Sequence, residues 1–240
     1  MVIVGVAKVI ANAISAEPIE LNPVYTGLVA GNIFLLGFLL SGVLSDFKEA
    51  EKLPVELTAS LESIADEFLV VKKLGATGQG DAGLRHLSAT VDSVLGWLYG
   101  TITLAPVLTH VTALDNIFAT LDKHTQATYV NRIKVEQSAV RRMILRINAI
   151  RGTSFVAAGF TVAALTSLLL IVLLVFIDVG PIGTDTILIC TLTFLLIYVL
   201  LLVRDLDNPF EYAVGEIGGS AEVSLEPLVG LQARLATYVG

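Results

Sequence analysis

Charged residues are scarce in this sequence. Only 15% of its 240 residues are Asp, Glu, Lys or Arg, and 55% are hydrophobic, whereas soluble domains average roughly 25% charged residues. The mean hydropathy is +0.80, and the apolar residues are gathered into long runs instead of being spread along the chain. We therefore predict a multi-pass integral membrane protein, and the composition does not indicate which membrane holds it.

Cysteine and an excess of positive charge are also missing. The single cysteine, Cys190, excludes an intrachain disulfide and a thiol-based metal site. The net charge of -7 disfavours nucleic acid as a partner, because phosphate binding needs a basic surface. The three histidines lack the spacing of metal ligands, and no nucleophile motif or triad pattern appears. We expect no enzyme activity, no catalytic residue, no metal site and no cofactor.

Three uncharged runs are long enough to cross a bilayer, which requires about 20 apolar residues. They cover residues 21–45, 155–177 and 186–203. Only eight residues, 178–185, separate the last two runs, so we predict that these two spans form a tight helical hairpin.

The N-terminal segment, residues 1–20, is apolar but carries Lys8 in its middle. A cleaved signal peptide is disfavoured, because the positive charge lies within the apolar stretch and not ahead of it. We interpret the segment either as a short or incomplete transmembrane helix or as an amphipathic helix at the membrane surface.

The long region between the first and second spans is polar and helical in its spacing. It holds 12 of the 15 Lys and Arg residues, which favours the inner side of the membrane. Its pattern predicts helices from Pro54 to about Gly75, over 84–100 and from about 113 to 151, with a glycine-rich linker at 76–83. We therefore divide the chain into five segments: 1–20, the first span at 21–45, a water-facing helical region at 46–154, the hairpin at 155–203 and an inner tail at 204–240.

One stripe of the first span attracts attention. Ala30, Phe34, Phe38, Ser41 and Ser45 follow one another at steps of three or four residues, which places them on one side of a helix. The same span carries Gly31, which forms a GxxxG step with Gly27, and Asn32, a polar side chain that is costly in hydrocarbon unless it finds a partner. These features indicate that the helix faces protein or a pore, and ordinary packing in a helical bundle explains them equally well.

Two segments resemble bestrophin channels. The string FLLGFLLSGVLSDFKEAEKLP at 34–54 is similar to their second transmembrane helix and its exit, and RDLDNPFEY at 204–212 places Asn208, Pro209 and Phe210 where bestrophins have Asn-Pro-Phe after the last span. The form LDNPF is nearest to the bestrophin-like family of unknown function found in bacteria and plants.

This resemblance implies an all-α membrane fold and a homo-oligomer, in bestrophins a pentamer, whose second helices line a hydrophobic neck. Ala30, Phe34 and Phe38 would take the neck positions, while Gly31, Asn32, Ser41 and Ser45 would line the pore or pack helices. The resemblance further implies passage of chloride or bicarbonate, with membrane lipid as the surrounding partner. Such constrictions gate by dewetting.

The sequence departs from animal bestrophins after Phe210. Those channels continue with an acidic run that clasps calcium, whereas here Glu211 stands alone, and one carboxylate cannot supply six to eight oxygen ligands. We expect no calcium clasp and interpret Asn208 as the cap of a helix that begins at Pro209. The resulting prediction is an anion channel, and the alternative is a non-conducting scaffold or accessory subunit of a larger membrane complex.

Overall fold

The computed structural model describes residues 2–14, 19–20, 23–121, 127–152, 157–178, 180–212 and 222–239. This part of the chain is almost entirely helical, which confirms the predicted all-α class. In chain order its elements are α1 (Val2–Ala13), β1 (Ile19–Glu20), α2 (Pro23–Ala50), α3 (Leu53–Lys73), α4 (Thr77–Leu98), α5 (Leu104–Leu121), α6 (Ala127–Gly152), α7 (Ala157–Val175), β2 (Ile177–Asp178), α8 (Ile182–Leu206) and α9 (Glu226–Val239).

The chain forms two compact units. The first unit comprises residues 1–45 and 154–207, and the second comprises 46–153 and 208–240. In the first unit, α1 packs against α7 and α8, and α7 packs against α8 as the predicted hairpin requires. Large apolar side chains cover its outer surface, among them Leu165, Leu168, Leu169 and Ile187, each more than half exposed. Such a surface suits hydrocarbon and not water.

Helix lengths agree with a membrane protein. Within the described residues, three helical stretches are long and apolar enough to cross a membrane, namely 23–73, Leu104–Leu121 and Ile182–Leu206, and Val2–Ala13 and Gly159–Val175 are shorter apolar helices. The stretch Leu104–Leu121 is α5, which was not among the predicted spans. Its apolar side chains, including Val107, Val111 and Phe118, are buried in the core of the second unit, which accounts for its composition.

The bounds of the predicted spans shift by a few residues. The predicted span at 21–45 corresponds to α2, which continues to Ala50. The second helix of the hairpin, α8, begins at Ile182 and ends at Leu206, so it extends beyond the predicted run at 186–203 at both ends. Charged residues set the bounds of each predicted run, but a helix can continue past a charged residue.

The second unit packs α3, α4, α5, α6 and α9 around one apolar core. α3 contacts α4, α6 and α9, while α5 packs on α4 and α6. Its centre contains fully buried side chains such as Leu61, Phe68, Leu87, Leu114 and Ile144. The predicted single helix over 113–151 is wrong, because α6 packs against α5: Gln137 donates a hydrogen bond to the backbone oxygen of Val111 at 2.7 Å, and one straight helix would hold these two residues far apart. Apolar residues recur at three- and four-residue steps up to Leu121 and again from Val130, and the prediction joined the two patterns across the polar residues 122–126.

The glycine-rich segment 76–83 is also different from its prediction as a linker. It forms the first turns of α4. A Cβ atom at Gly80 would lie 2.8 Å from the backbone oxygen of Phe68, and one at Gly83 would lie 2.5 Å from the Phe68 ring. These glycines therefore allow α4 to approach α3 closely, a use of glycine that resembles a turn signal in the sequence.

Candidate pore helix and its supports

The helix α2 has two distinct faces. Its side chains buried within the first unit are Tyr25, Asn32, Leu36 and Val43. At about 100° per residue these four fall within an arc of roughly 40°. That arc packs against the other helices of the unit: Leu36 contacts Ala163 and Leu196 in one cluster, and Val43 lies with Val203 in another.

The predicted stripe lies on the opposite face. Ala30, Phe34, Phe38, Ser41 and Ser45 are all exposed in the single chain. The exposed fraction is 77% for Phe34 and 68% for Phe38. On a helical wheel the stripe is centred about 180° from the buried arc. The five side chains thus share a surface that the packing within the first unit does not use, and we call it the exposed stripe.

Gly31 lies beside the exposed stripe and is itself exposed. A Cβ atom at Gly27, Gly31, Gly37 or Gly42 would meet no other atom of the described chain within 4 Å. Among the described residues, the GxxxG step at Gly27 and Gly31 is therefore not a contact between two helices. Small residues on an exposed helix face permit close approach of another helix or leave room at an axis.

Asn32 faces the other way and is a packing residue. Its Nδ2 donates a hydrogen bond to Ser167 Oγ at 2.8 Å, and its Oδ1 accepts one from Thr166 Oγ1 at 2.7 Å. Asn32 is 6% exposed and Ser167 is fully buried. Because an apolar helix slides easily against apolar neighbours, these two directional bonds fix the rotation of α2 relative to α7.

A second polar contact involves the end of α2 beyond the stripe, in the second unit. Arg146 donates two hydrogen bonds to the Glu49 carboxylate, from Nε to Oε1 at 2.7 Å and from Nη2 to Oε2 at 2.8 Å. This bidentate bond lowers the pKa of Glu49 below its usual value and raises the pKa of Arg146. Both side chains are about half exposed, so solvent screens the pair.

The predicted helix cap at Asn208 is wrong. The Asn208 carbonyl oxygen accepts a hydrogen bond from the Glu211 amide at 3.4 Å, and the residues around Pro209 form a turn. The Pro209 carbonyl accepts a further bond from the Val223 amide at 2.9 Å. Phe210 is fully buried in the core of the second unit. The three motif residues therefore form a turn that places the Phe210 ring in this core.

Sequence reasoning missed one ion pair in the first unit. Lys8 Nζ lies 2.8 Å from Asp185 Oδ2, and both side chains have no exposed surface. The same Nζ donates a hydrogen bond to the carbonyl oxygen of Ile177. Both charges were visible as interruptions of apolar runs, but no local pattern joins residues so distant along the chain.

Comparison with known proteins supports the fold through structure alone. No family model matches the chain, and no curated protein sequence matches it. The crystal structure of a point variant of a bacterial bestrophin homologue from Klebsiella pneumoniae has a TM-score of 0.85 at 14% identity, covering 100% of this chain and 96% of that chain. Another variant of a bestrophin homologue from that organism gives 0.83 at 14% identity, with 100% and 97% covered.

A further crystal structure, described as that of a membrane protein, has a TM-score of 0.84 at 14% identity and covers 100% of this chain and 97% of that chain. The chain therefore has a bestrophin-like fold, as the two sequence motifs predicted. Together with its long apolar helices, this fold establishes an integral membrane protein.

Proposed function

We propose that the chain is one subunit of a homo-oligomeric channel, a pentamer, that passes small anions such as chloride or bicarbonate. Ala30, Phe34 and Phe38 form its hydrophobic neck, and Ser41 and Ser45 continue the lining. One observation carries the proposal: the two phenylalanines are exposed on the face of α2 opposite its packed side. Around a symmetry axis, such faces from several subunits meet each other.

The neck proposal has a clear physical basis. Phe34 and Phe38 expose 77% and 68% of their surface in the single chain. In a membrane, such an apolar side chain contacts either lipid or another protein surface. A ring of such side chains around a narrow axis excludes water and so resists the passage of hydrated ions until it widens. The glycines beside the stripe on α2 leave space for that change.

Single-channel recording tests the proposal. Purified protein is placed in planar bilayers under a chloride gradient, and wild type is compared with Phe34→Ala and Phe38→Ala. We expect an anion-selective reversal potential, and we expect both substitutions to raise conductance or open probability. The matched control is Phe194→Ala, because Phe194 on α8 is also an exposed phenylalanine, at 55%, but lies off α2.

Two outcomes contradict the channel. Assembled protein that carries no current, with or without the substitutions, favours the scaffold or accessory subunit, whose exposed stripe would then cover a different chain. If Phe194→Ala changed conductance as much as the two α2 substitutions did, the assignment of Phe34 and Phe38 to the neck would be wrong. Native mass spectrometry of the protein in detergent gives the number of subunits independently.

A further inference from the structure

The end of the first unit that contains Lys8 and Asp185 brings several segments together. Lys8 belongs to α1, Asp185 to the first turn of α8, and Ile177 to β2 between α7 and α8. β2 pairs in parallel with β1, with Ile19 opposite Ile177 and Glu20 opposite Asp178. β1 ends three residues before α2 begins. One ammonium group thus connects α1 and α8 to β2, which pairs with β1, the strand that precedes α2.

The burial of this pair is unusual for its residue types. Lys8 is among the largest side chains that are fully buried in the described residues, and Asp185 is 1% exposed. Charged groups within a membrane unit are costly unless they are paired, and they are retained where they serve a function. Within the part of the chain that the structure describes, Lys8 is the only partner of the Asp185 carboxylate.

Ile177 also reaches α2 through its side chain. It packs with Tyr25, which lies in the first turn of α2, and with Leu170, Leu174 and Ile189. The Ile177 carbonyl therefore holds Lys8 while its side chain supports the start of α2. A displacement of Ile177 would therefore change the contacts of both α1 and α2.

A half-open apolar groove lies beside this support. Its volume is about 270 Å³, and its walls include Tyr25, Thr26 and Val29 of α2 together with Leu174, Ile177 and Ile189. The described residues leave this apolar groove unfilled, so the first turns of α2 have room to move on that side. The ion pair and the strand pair are two polar contacts at this end of the unit.

We propose that Lys8 and Asp185 form a latch that sets the position of the first turns of α2, and that they thereby act as positioning residues for the exposed stripe. The latch holds α1 on α8, keeps Ile177 against Tyr25 and prevents α2 from shifting into the groove. Only its effect on conduction rests on the proposed channel function. The positioning of α2 is a property of the first unit alone.

Hydrogen exchange in lipid nanodiscs tests the latch without any current. We expect Lys8→Met to raise amide exchange roughly tenfold or more in α1 and in residues 23–30 of α2, with little change in residues 36–43. The double variant Lys8→Met/Asp185→Leu, which removes both charges, should restore protection. Faster exchange in α1 with unchanged exchange in 23–30, or no recovery in the double variant, would overturn the proposal.

A reversible covalent latch provides the second arm. A Cβ atom at Gly5 would lie 3.3 Å from the sulfur of Cys190, so Gly5→Cys is placed to form a disulfide that joins α1 to α8 when diamide oxidises the two thiols. In the Lys8→Met background, oxidation should restore slow exchange in 23–30 and dithiothreitol should reverse it. The control Gly5→Cys/Cys190→Ser should show no response, and a response there would refute the latch.

Two further readouts complete the experiment. If Lys8→Met does not fold, the oxidised and reduced forms of Gly5→Cys alone still decide the matter, because oxidation should slow exchange in both α1 and 23–30. In planar bilayers Lys8→Met should change open probability, and the disulfide should return it toward the wild-type value. Absence of current from wild type would refute the channel, while the exchange data would still accept or reject the latch.

Discussion

Asn32 and Phe34 lie two residues apart on α2 and face in opposite directions. Asn32 is 6% exposed and binds Thr166 and Ser167 on α7, whereas Phe34 is 77% exposed. The polar side chain therefore determines where the aromatic one points. A change in the rotation of α2 would move Phe34 and break both hydrogen bonds of Asn32 at once.

Replacement of Asn32 by leucine should weaken the contact between α2 and α7. Leucine has a similar size but cannot bond Thr166 or Ser167, and hydrogen bonds between membrane helices contribute about 1 kcal/mol. We expect the free energy of unfolding to fall by about that amount in a titration with dodecyl sulfate. Thr191→Ala is the control, because that exposed hydroxyl donates its hydrogen bond to the carbonyl of Ile187 in its own helix. Equal stability of Asn32→Leu and wild type would contradict the assignment.

The glycines of α4 should respond to alanine in opposite ways. At Gly83 the new methyl group would lie 2.5 Å from the Phe68 ring, and such overpacking lowers stability by about 1–3 kcal/mol. At Gly78 a methyl group meets nothing within 4 Å, so alanine should be neutral or should stabilise the helix by up to about 1 kcal/mol. Thermal unfolding followed by circular dichroism measures both. A shift of the same sign at the two positions would exclude close packing as the reason for Gly83.

The Glu49–Arg146 pair should make a small, pH-dependent contribution to stability. Because the Arg146 guanidinium lowers the pKa of Glu49 from 4.5, the contribution is present in full above that unfolded value and is lost as the pH falls through the lower folded pKa. Glu49→Gln should therefore reduce stability at pH 7 by less than about 1 kcal/mol, since the pair is exposed. The difference from wild type should disappear in acid and shrink in high salt.

Denaturant titrations of wild type and Glu49→Gln between neutral and acid pH give this difference directly. Glu51→Gln is a suitable control, because Glu51 is a neighbouring exposed carboxylate for which the structure shows no bond to Arg146. A difference for Glu49→Gln that persists unchanged in acid would mean that the ion pair is not its source.

Phe210 should contribute far more to stability than the other motif residues. Its ring is fully buried in the second unit. We therefore expect Phe210→Ala to lower the free energy of unfolding by about 3–5 kcal/mol, the usual cost of removing a buried phenylalanine side chain. Asn208→Ala should cost less than about 1 kcal/mol, because its side chain makes one long hydrogen bond, of 3.4 Å, to Glu211. Chemical denaturation of the two variants separates an anchoring role from a ligand-binding role. A larger loss for Asn208→Ala would favour the latter.

The sequence predicts those parts of the fold that depend on local composition. An uncharged run long enough to cross a membrane needs no distant partner to become a helix, so the regions of α2, α7 and α8 were found within a few residues. The stripe from Ala30 to Ser45 was equally accessible, because residues three and four apart share a helix face. Whether that face meets a symmetry axis stays a prediction.

Other features depend on distant contacts and could not be read locally. Gly80 and Gly83 look like turn residues until Phe68 is placed beside them. The apolar spacing before Leu121 and after Val130 suggested one helix, yet α5 and α6 pack against each other. Lys8 was compatible with a short transmembrane helix or with a helix at the membrane surface, and the sequence did not reveal that its charge is buried against Asp185. In each case the deciding atom belongs to a segment far away in the chain.

The aliphatic contacts and the ion pair of the first unit differ in how freely their residues can be replaced during evolution. Leu36, Ala163 and Leu196 meet through aliphatic surface, and many combinations of similar total volume would fill the same space. Such positions drift freely, and a fold can persist at 14% identity. Lys8 and Asp185 cannot drift singly without stranding a buried charge. Among relatives of this chain, therefore, the two positions should be gained, lost or exchanged together.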